Sequence, residues 1–444
     1  MEHDVTKEVS DDQRQVAMHI LQRLGEGGQP PEYGLHRINV GNESYLRVLE
    51  DEYFRGQLRV GSSFKLVQGY FGGGKTHFLF CVRALAWSYD FVTALVELSP
   101  AECPYDDALK VYQAVARRIV QKPEHLHAPP AYGIGTLLRN LVDRHVQRVQ
   151  ATAPNPGPKA KLQAHQEVEA WLTRTVGRAW CESHSFRQAI THFALAYLRD
   201  DIQAEQKLEA WLLGENIAVA QLRDFGVYEQ MGRANAFTML RSLLQMIVAL
   251  GLPGTALLFD EVDRNLSVSA KRSHIIGDNL RQVVDLCGRH QLPNTLFMYA
   301  VPPEFMRTVV PDYPALYQRL KSPVPLSVRS PQAVLIDLEK LDLAPADLLE
   351  SLGKRLVEVF EDARGCQLDR AIQQRNARVL AEVCAEAFFE VNHRRLFVKT
   401  WVDFLFHQLV DASSELSHET ARELIRVGHQ DLINVAPSDD FSDF

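Results

Sequence analysis

Gly69-Tyr70-Phe71-Gly72-Gly73-Gly74-Lys75-Thr76 is the stretch whose reading decides the fold. It fits the phosphate-loop pattern G-x-x-x-x-G-K-[ST] without a mismatch. Phe64-Lys65-Leu66-Val67 before it is a short β-type segment, and His77 to Leu85 after it run as helix without Gly or Pro. The stretch therefore sits at a strand-to-helix turn. Glycines there let the backbone fold tightly and aim N–H groups at phosphate oxygens, where a Cβ would obstruct. The helix N-terminus adds its positive end to the same anion. Lys75 would bridge the β- and γ-phosphates, and the Thr76 hydroxyl would take a Mg²⁺ position. The bland alternative is a glycine-rich turn that matches by chance.

Working outward, the second anchor is Thr255-Ala256-Leu257-Leu258-Phe259-Asp260-Glu261-Val262-Asp263, an apolar strand ending in paired acids. A buried strand of this kind places Asp260 at its carboxyl end, where open parallel sheets bind ligands. Asp260 would hold Mg²⁺ and Glu261 would orient or deprotonate the attacking water. Alone, such a strand is also what two solvated acids at a strand end look like.

Further strands are expected at Phe91–Leu98, Thr295–Val301 and Ala333–Leu338, and helices at Ala108–Val120 and Ser269–Cys287. Tyr45–Phe54 reads as a helix. Gly135 to about Leu250 is helical in pattern, broken at Ala153-Pro154-Asn155-Pro156-Gly157-Pro158, and reads as an insertion between two strands. Its Arg139, Arg144, Arg148, Lys159 and Lys161 would either touch nucleic acid or form a solvated helix face. Residues 344 to 430 are nearly all helical in pattern. The organisation expected is a helical lead-in over 1–60, a core over 61–340 with its insertion at about 135–250, a C-terminal helical domain over 341–434, and an acidic tail over 435–444.

At 444 residues the chain exceeds one small core. Hydrophobic content of 46% and charged content of 23% describe an ordinary globular protein. A formal net charge of -8, from 48 basic and 56 acidic residues, argues against whole-surface attraction to nucleic acid while leaving room for a local basic patch. The six cysteines form no C-x-x-C pair, which disfavours metal knuckles and a disulfide framework and fits a reducing cytosol. With a polar Met1-Glu2-His3-Asp4 start and no apolar run long enough to span a bilayer, the expectation is a cytoplasmic protein without a membrane partner.

The order strand, phosphate loop, helix, strand, acid-tipped strand, strand, strand and helical lid resembles that of AAA+ ATPases. More narrowly, the chain resembles the ATP-binding proteins of BREX-type phage-defence systems, the BrxD-like group related to origin-recognition ATPases. The pieces that carry the likeness are Gly69 to Leu79, Val96-Glu97-Leu98-Ser99-Pro100, Leu258 to Asp263, Pro314 to Leu320 and Arg395 to Leu405. It spans roughly residues 35–410, most of the insertion excepted. The resemblance implies an α/β P-loop AAA+ core with a parallel sheet, a large helical insertion and an all-helical C-terminal lid. It implies ATP and Mg²⁺ as ligands, a homo-oligomer, other defence-system proteins as partners, and action on DNA or on a DNA-bound partner, direct DNA contact not being shown by the sequence. The nucleotide would be held by Gly69, Gly72, Gly73, Gly74, Lys75, Thr76, His77 and Arg395, and the metal by Thr76 and Asp260. Arg319 stands where such ATPases present an arginine to a neighbour's γ-phosphate, a helix-end salt bridge being the alternative. Arg395 stands at the lid position that senses nucleotide, with Arg394 its rival. One departure is plain: Ala300-Val301-Pro302-Pro303 carries no Thr or Asn where the fourth strand normally ends in a polar sensor. Two functions follow, an ATPase that drives rearrangement of an oligomer, or a nucleotide-gated scaffold with little turnover.

Overall fold

The computed structural model describes residues 10–99, 103–125, 130–152, 158–261, 270–289, 292–308, 314–320, 324–387, 393–410 and 414–435. The breaker run at 153–157, the acids after Glu261 and the tail from 436 onward lie outside the described residues. In chain order the elements are α1 (Asp11–Gly25), α2 (Glu43–Val48), β1 (Ser62–Gln68), α3 (Lys75–Ser88), β2 (Val92–Leu98), α4 (Ala108–Arg118) and β3 (Ile119–Val120). There follow α5 (Ile134–Thr152), α6 (Pro158–Arg174), α7 (His184–Leu198), α8 (Ile202–Leu212), α9 (Ala236–Ala249), β4 (Thr255–Glu261), α10 (Ala270–Gly288) and β5 (Thr295–Val301). The chain continues through α11 (Pro303–Thr308), α12 (Pro314–Leu320), β6 (Leu335–Asp337), α13 (Pro345–Arg364), α14 (Arg370–Ala387), α15 (His393–His407) and α16 (His418–Val435).

Six strands form one mostly parallel sheet in the order β3-β2-β4-β5-β1-β6. β2 pairs with β4 and β4 with β5 in parallel, Glu97 lying opposite Asp260 and Leu258 opposite Met298. In β4, Ala256, Leu257, Leu258 and Phe259 are all fully buried, so both faces of the strand are covered. One sequence expectation is corrected here. The helix expected to run to Val120 stops at Arg118, and Ile119 and Val120 turn extended to pair antiparallel with Ala94 and Thr93. Both are β-branched and fully or almost fully buried, which favours a strand over a last helical turn. The helix expected over Tyr45–Phe54 is also divided, its second half, Leu49–Phe54, being wound as a π-helix.

The chain forms two compact units. The first comprises Met1–Arg47, Val67–Val82 and Ile336–Phe444; the second comprises Val48–Leu66 and Arg83–Leu335. Each unit joins segments distant in sequence. In the first unit, Val16, Ile20 and Leu24 of α1 share a core with Leu356 and Phe360 of α13 and with Phe397, Trp401 and Leu405 of α15. Ser10 starts α1 with a capping box, accepting from the Gln13 N–H while Gln13 accepts from its own. In the second unit, Leu257 and Phe259 of β4 share a core with Val111 and Val115 of α4, Leu137 and Leu141 of α5, and Leu243 and Leu244 of α9. The helices between β3 and β4 thus pack into the same apolar body as the strands. No described helix is long and apolar enough to cross a membrane.

Candidate functional site

The glycine loop belongs to the first unit. Its Lys75 opens α3 and is 8% exposed. The Lys75 Nζ reaches back along the loop and donates to the Gly69 carbonyl at 2.8 Å and the Tyr70 carbonyl at 3.1 Å. The side chain therefore ties the loop's end to its beginning. Gly72 and Gly74 adopt φ +72° and +90°, values that favour glycine and turn successive N–H groups inward. Gly73 does not have positive φ; a Cβ there would lie 2.6 Å from Glu339 Oε1 and 3.0 Å from the Tyr70 carbonyl oxygen. At three consecutive positions, then, the loop is built so that only hydrogen fits without strain or collision. Such a cradle of bare backbone followed by a helix N-terminus and a buried cation suits a polyphosphate.

Thr76 is the second residue of α3. His77 follows it, and its ring nitrogen lies 3.2 Å from Asn39 Oδ1 and 3.5 Å from Cys81 Sγ. Burial, helped by the Arg394 charge, lowers the His77 pKa to about 4, so the imidazole is neutral near pH 7. It serves as a buried hydrogen-bonding group between α3 and the segment after α1.

Two adjacent arginines of α15 meet the loop differently. Arg394 donates through one terminal nitrogen to the Gly73 carbonyl and through the other to the Leu338 carbonyl at 2.7 Å. Arg395 places its guanidinium 5.8 Å from the Phe71 ring centroid and donates through Nε to the Gly27 carbonyl at 2.6 Å. Gly28, at φ +65°, allows that approach: a Cβ there would come within 2.5 Å of Arg395 Cγ. Of the two arginines, it is Arg394 that bonds the loop backbone. Glu339 was not singled out by sequence, yet its Oε1 accepts the Tyr70 N–H at 2.8 Å. It stands just past the carboxyl end of β6, and that position was its available signal.

In the second unit, Asp260 is the penultimate residue of β4 and only 3% exposed. Glu261 closes the strand, and its side chain lies outside the described set. Arg319 of α12 is held by Asp285 of α10, with Nε donating to one carboxylate oxygen and a terminal nitrogen to the other at 3.2 Å. Asp285 also lies 3.6 Å from Arg281, one turn away on α10. β5 ends at Val301 and Pro302 follows, so no hydroxyl or amide stands there. Of the basic residues on the insertion, Arg139 is engaged by Glu205 at 2.6 Å and by Glu209.

The family model described as "BREX system ATP-binding protein BrxC/D" matches residues 13–423. No curated protein and no solved structure gives a match.

Proposed function

The chain belongs to the BREX system ATP-binding protein BrxC/D family, and from that premise we propose that it is a Mg²⁺-dependent P-loop ATPase of the AAA+ type. Its turnover would rearrange a homo-oligomer on DNA or on a DNA-bound partner, within a phage-defence system whose other proteins are its partners. The observation that carries the location of ATP is the Lys75 Nζ folded back onto Gly69 and Tyr70 in a loop where Gly72 and Gly74 take positive φ and Gly73 has no room for a Cβ. Backbone N–H groups of Gly72, Gly73 and Gly74 would donate to phosphate oxygens, that of Gly73 sharing or giving up its bond to the Tyr70 carbonyl at 3.0 Å, and Lys75 would place its charge between the β- and γ-phosphates. Thr76 and Asp260 would hold Mg²⁺, which supplies charge neutralisation for the transferring phosphoryl group. Glu261 would orient water and take its proton. Arg319 would serve a neighbouring subunit, and the α13–α16 helices would act as the lid.

A second reading, a nucleotide-gated switch with slow turnover, draws on two observations. The strand β5 ends in Val301-Pro302 without a polar side chain, and Arg319 is paired with Asp285 within its own chain. Nucleotide binding and phosphate release by purified protein separate the readings. Lys75→Ala should lower ATP affinity by about 100-fold or more, while Glu261→Gln should keep affinity and slow phosphate release by a factor of about 100. Equal release by wild type and Glu261→Gln would remove the catalytic assignment and leave the switch.

A further inference from the structure

The phosphate loop is braced on one side by two charged residues, Glu339, which no motif identifies, and Arg394 of α15. Glu339 Oε1 accepts the Tyr70 N–H at 2.8 Å, and Arg394 donates to the Gly73 carbonyl and to the Leu338 carbonyl, the residue just before Glu339. The carboxylate lies in space that a Gly73 side chain would fill, 2.6 Å from where a Cβ would be and 3.4 Å from the corresponding point on Gly69. Arg394 Nε is buried with no hydrogen-bond partner, so the guanidinium is held by its two terminal nitrogens alone. Burial lowers the Arg394 pKa and the Glu339 charge opposes that shift, as expected of two opposite charges sharing a partly dry site.

We propose that Glu339 and Arg394 are positioning residues for the nucleotide: together they hold the Tyr70–Gly73 turn in its phosphate-accepting shape and link that shape to α15. The proposal rests on the assignment of ATP to this loop. Tyr70 N–H and Gly73 C=O are the donor and acceptor at the two ends of the turn, and each is secured by a charged partner. Such charge-assisted bonds are stronger than neutral ones and add to the turn's own Gly73 N–H to Tyr70 carbonyl bond of 3.0 Å in fixing its peptide units. A pre-shaped loop binds phosphate without first losing conformational freedom. Glycine at 73 fits the same arrangement without a positive φ, since a Cβ there would meet both the Glu339 carboxylate at 2.6 Å and the Tyr70 backbone at 3.0 and 3.2 Å.

The test is a double-mutant cycle on ATP affinity in the presence of Mg²⁺, measured by calorimetric titration, with thermal unfolding followed in parallel. Glu339→Ala should weaken ATP binding about tenfold, while Glu339→Gln, which keeps an acceptor oxygen for Tyr70, should stay within about threefold. Glu339→Asp, one methylene shorter and unable to reach, should resemble Glu339→Ala and serves if the alanine variant does not fold. Gly73→Ala should cost about tenfold in the wild-type background and less, though still a measurable loss, once Glu339 is alanine, because the Tyr70 backbone at 3.0 and 3.2 Å from the added Cβ stays in place. Equal penalties for Gly73→Ala in both backgrounds, or full affinity in Glu339→Ala and Glu339→Asp, would overturn the brace. Lys75→Ala serves as the control for the assignment itself: if it binds ATP normally, the nucleotide lies elsewhere, whatever the cycle shows.

Discussion

Lys65 and Lys75 stand ten positions apart on either side of the glycine loop, and both are buried, 1% and 8% exposed. Each ammonium donates to backbone or hydroxyl oxygens, yet the two regions are built on different terms. Lys75 bonds carbonyls of its own loop, Gly69 and Tyr70, only six and five residues before it. Lys65, on β1 within the second unit, donates to the Tyr53 hydroxyl and to the Ala333 carbonyl at 2.7 Å, with the Tyr53 ring 4.2 Å away. Those partners come from a π-helix and from the segment leading into β6, the latter more than two hundred residues along the chain. Burial lowers the Lys65 pKa to about 7, and none of the bonds named here is to a carboxylate. A lysine placed by local contacts can present its charge to a ligand; a lysine placed by long-range contacts spends its donors on holding the fold.

The sharpest way to break that contrast is to remove each amine in turn. Lys75→Met should cost about 100-fold or more in ATP affinity and leave Tm within about 3 °C. Lys65→Met should shift Tm by more than that and keep ATP affinity within about threefold. Loss of ATP binding in Lys65→Met at unchanged Tm would make Lys65 a second nucleotide residue and end the distinction.

A smaller effect lies in pH. With its folded pKa near 7 and its unfolded value near 10.5, Lys65 binds fewer protons in the native state than in the unfolded chain between those limits. Its burial therefore costs most below about pH 7, and stability rises as pH climbs through the window. Denaturant unfolding at pH 7 and pH 9 should show a gain in the wild type that exceeds that of Lys65→Met by about 2 kcal/mol. Parallel pH profiles for the two proteins would mean that the amine is not titrating there.

The smallest effect concerns the loop's own neighbour. Because burial holds His77 near pKa 4, it contributes no protonation change between pH 6 and 8. The pH profile of ATP affinity over that range should be the same for wild type and His77→Gln. A difference between the two profiles with a midpoint near 6.5 would place a charged His77 at the phosphates.

Much of the fold could be read from local pattern. Thr295–Val301 was legible as a strand to the residue, and β2 and β4 within a residue or two, because each is a short apolar run bounded by Gly, Pro or acids. The turn of Ile119 and Val120 into β3 was not legible, since only pairing with β2 distinguishes that strand from a last helical turn. The loop residues of the candidate site were visible for the same local reason. Glu339 and Arg394 were harder, one an unremarked acid after a strand and the other one of two neighbouring arginines. Which arginine bonds the loop backbone depends on the rotation of α15 about its axis, and that is set by Phe397, Trp401 and Leu405 in the core of the first unit.

By itself the sequence determined that a glycine turn leads into a helix opening with lysine and threonine, that an acid-tipped apolar strand follows far downstream, and that the remainder is largely helix. Those features rest on backbone freedom, hydrogen-bond geometry and periodicity within a few residues. Only the tertiary structure decided that Gly73 makes room for a carboxylate, that Arg394 rather than Arg395 bonds the loop backbone, that Arg319 pairs with Asp285, and that Lys65 is spent inside the fold. Each of these is a contact between residues distant in sequence, and such contacts are chosen by how whole elements pack rather than by any pattern along the chain.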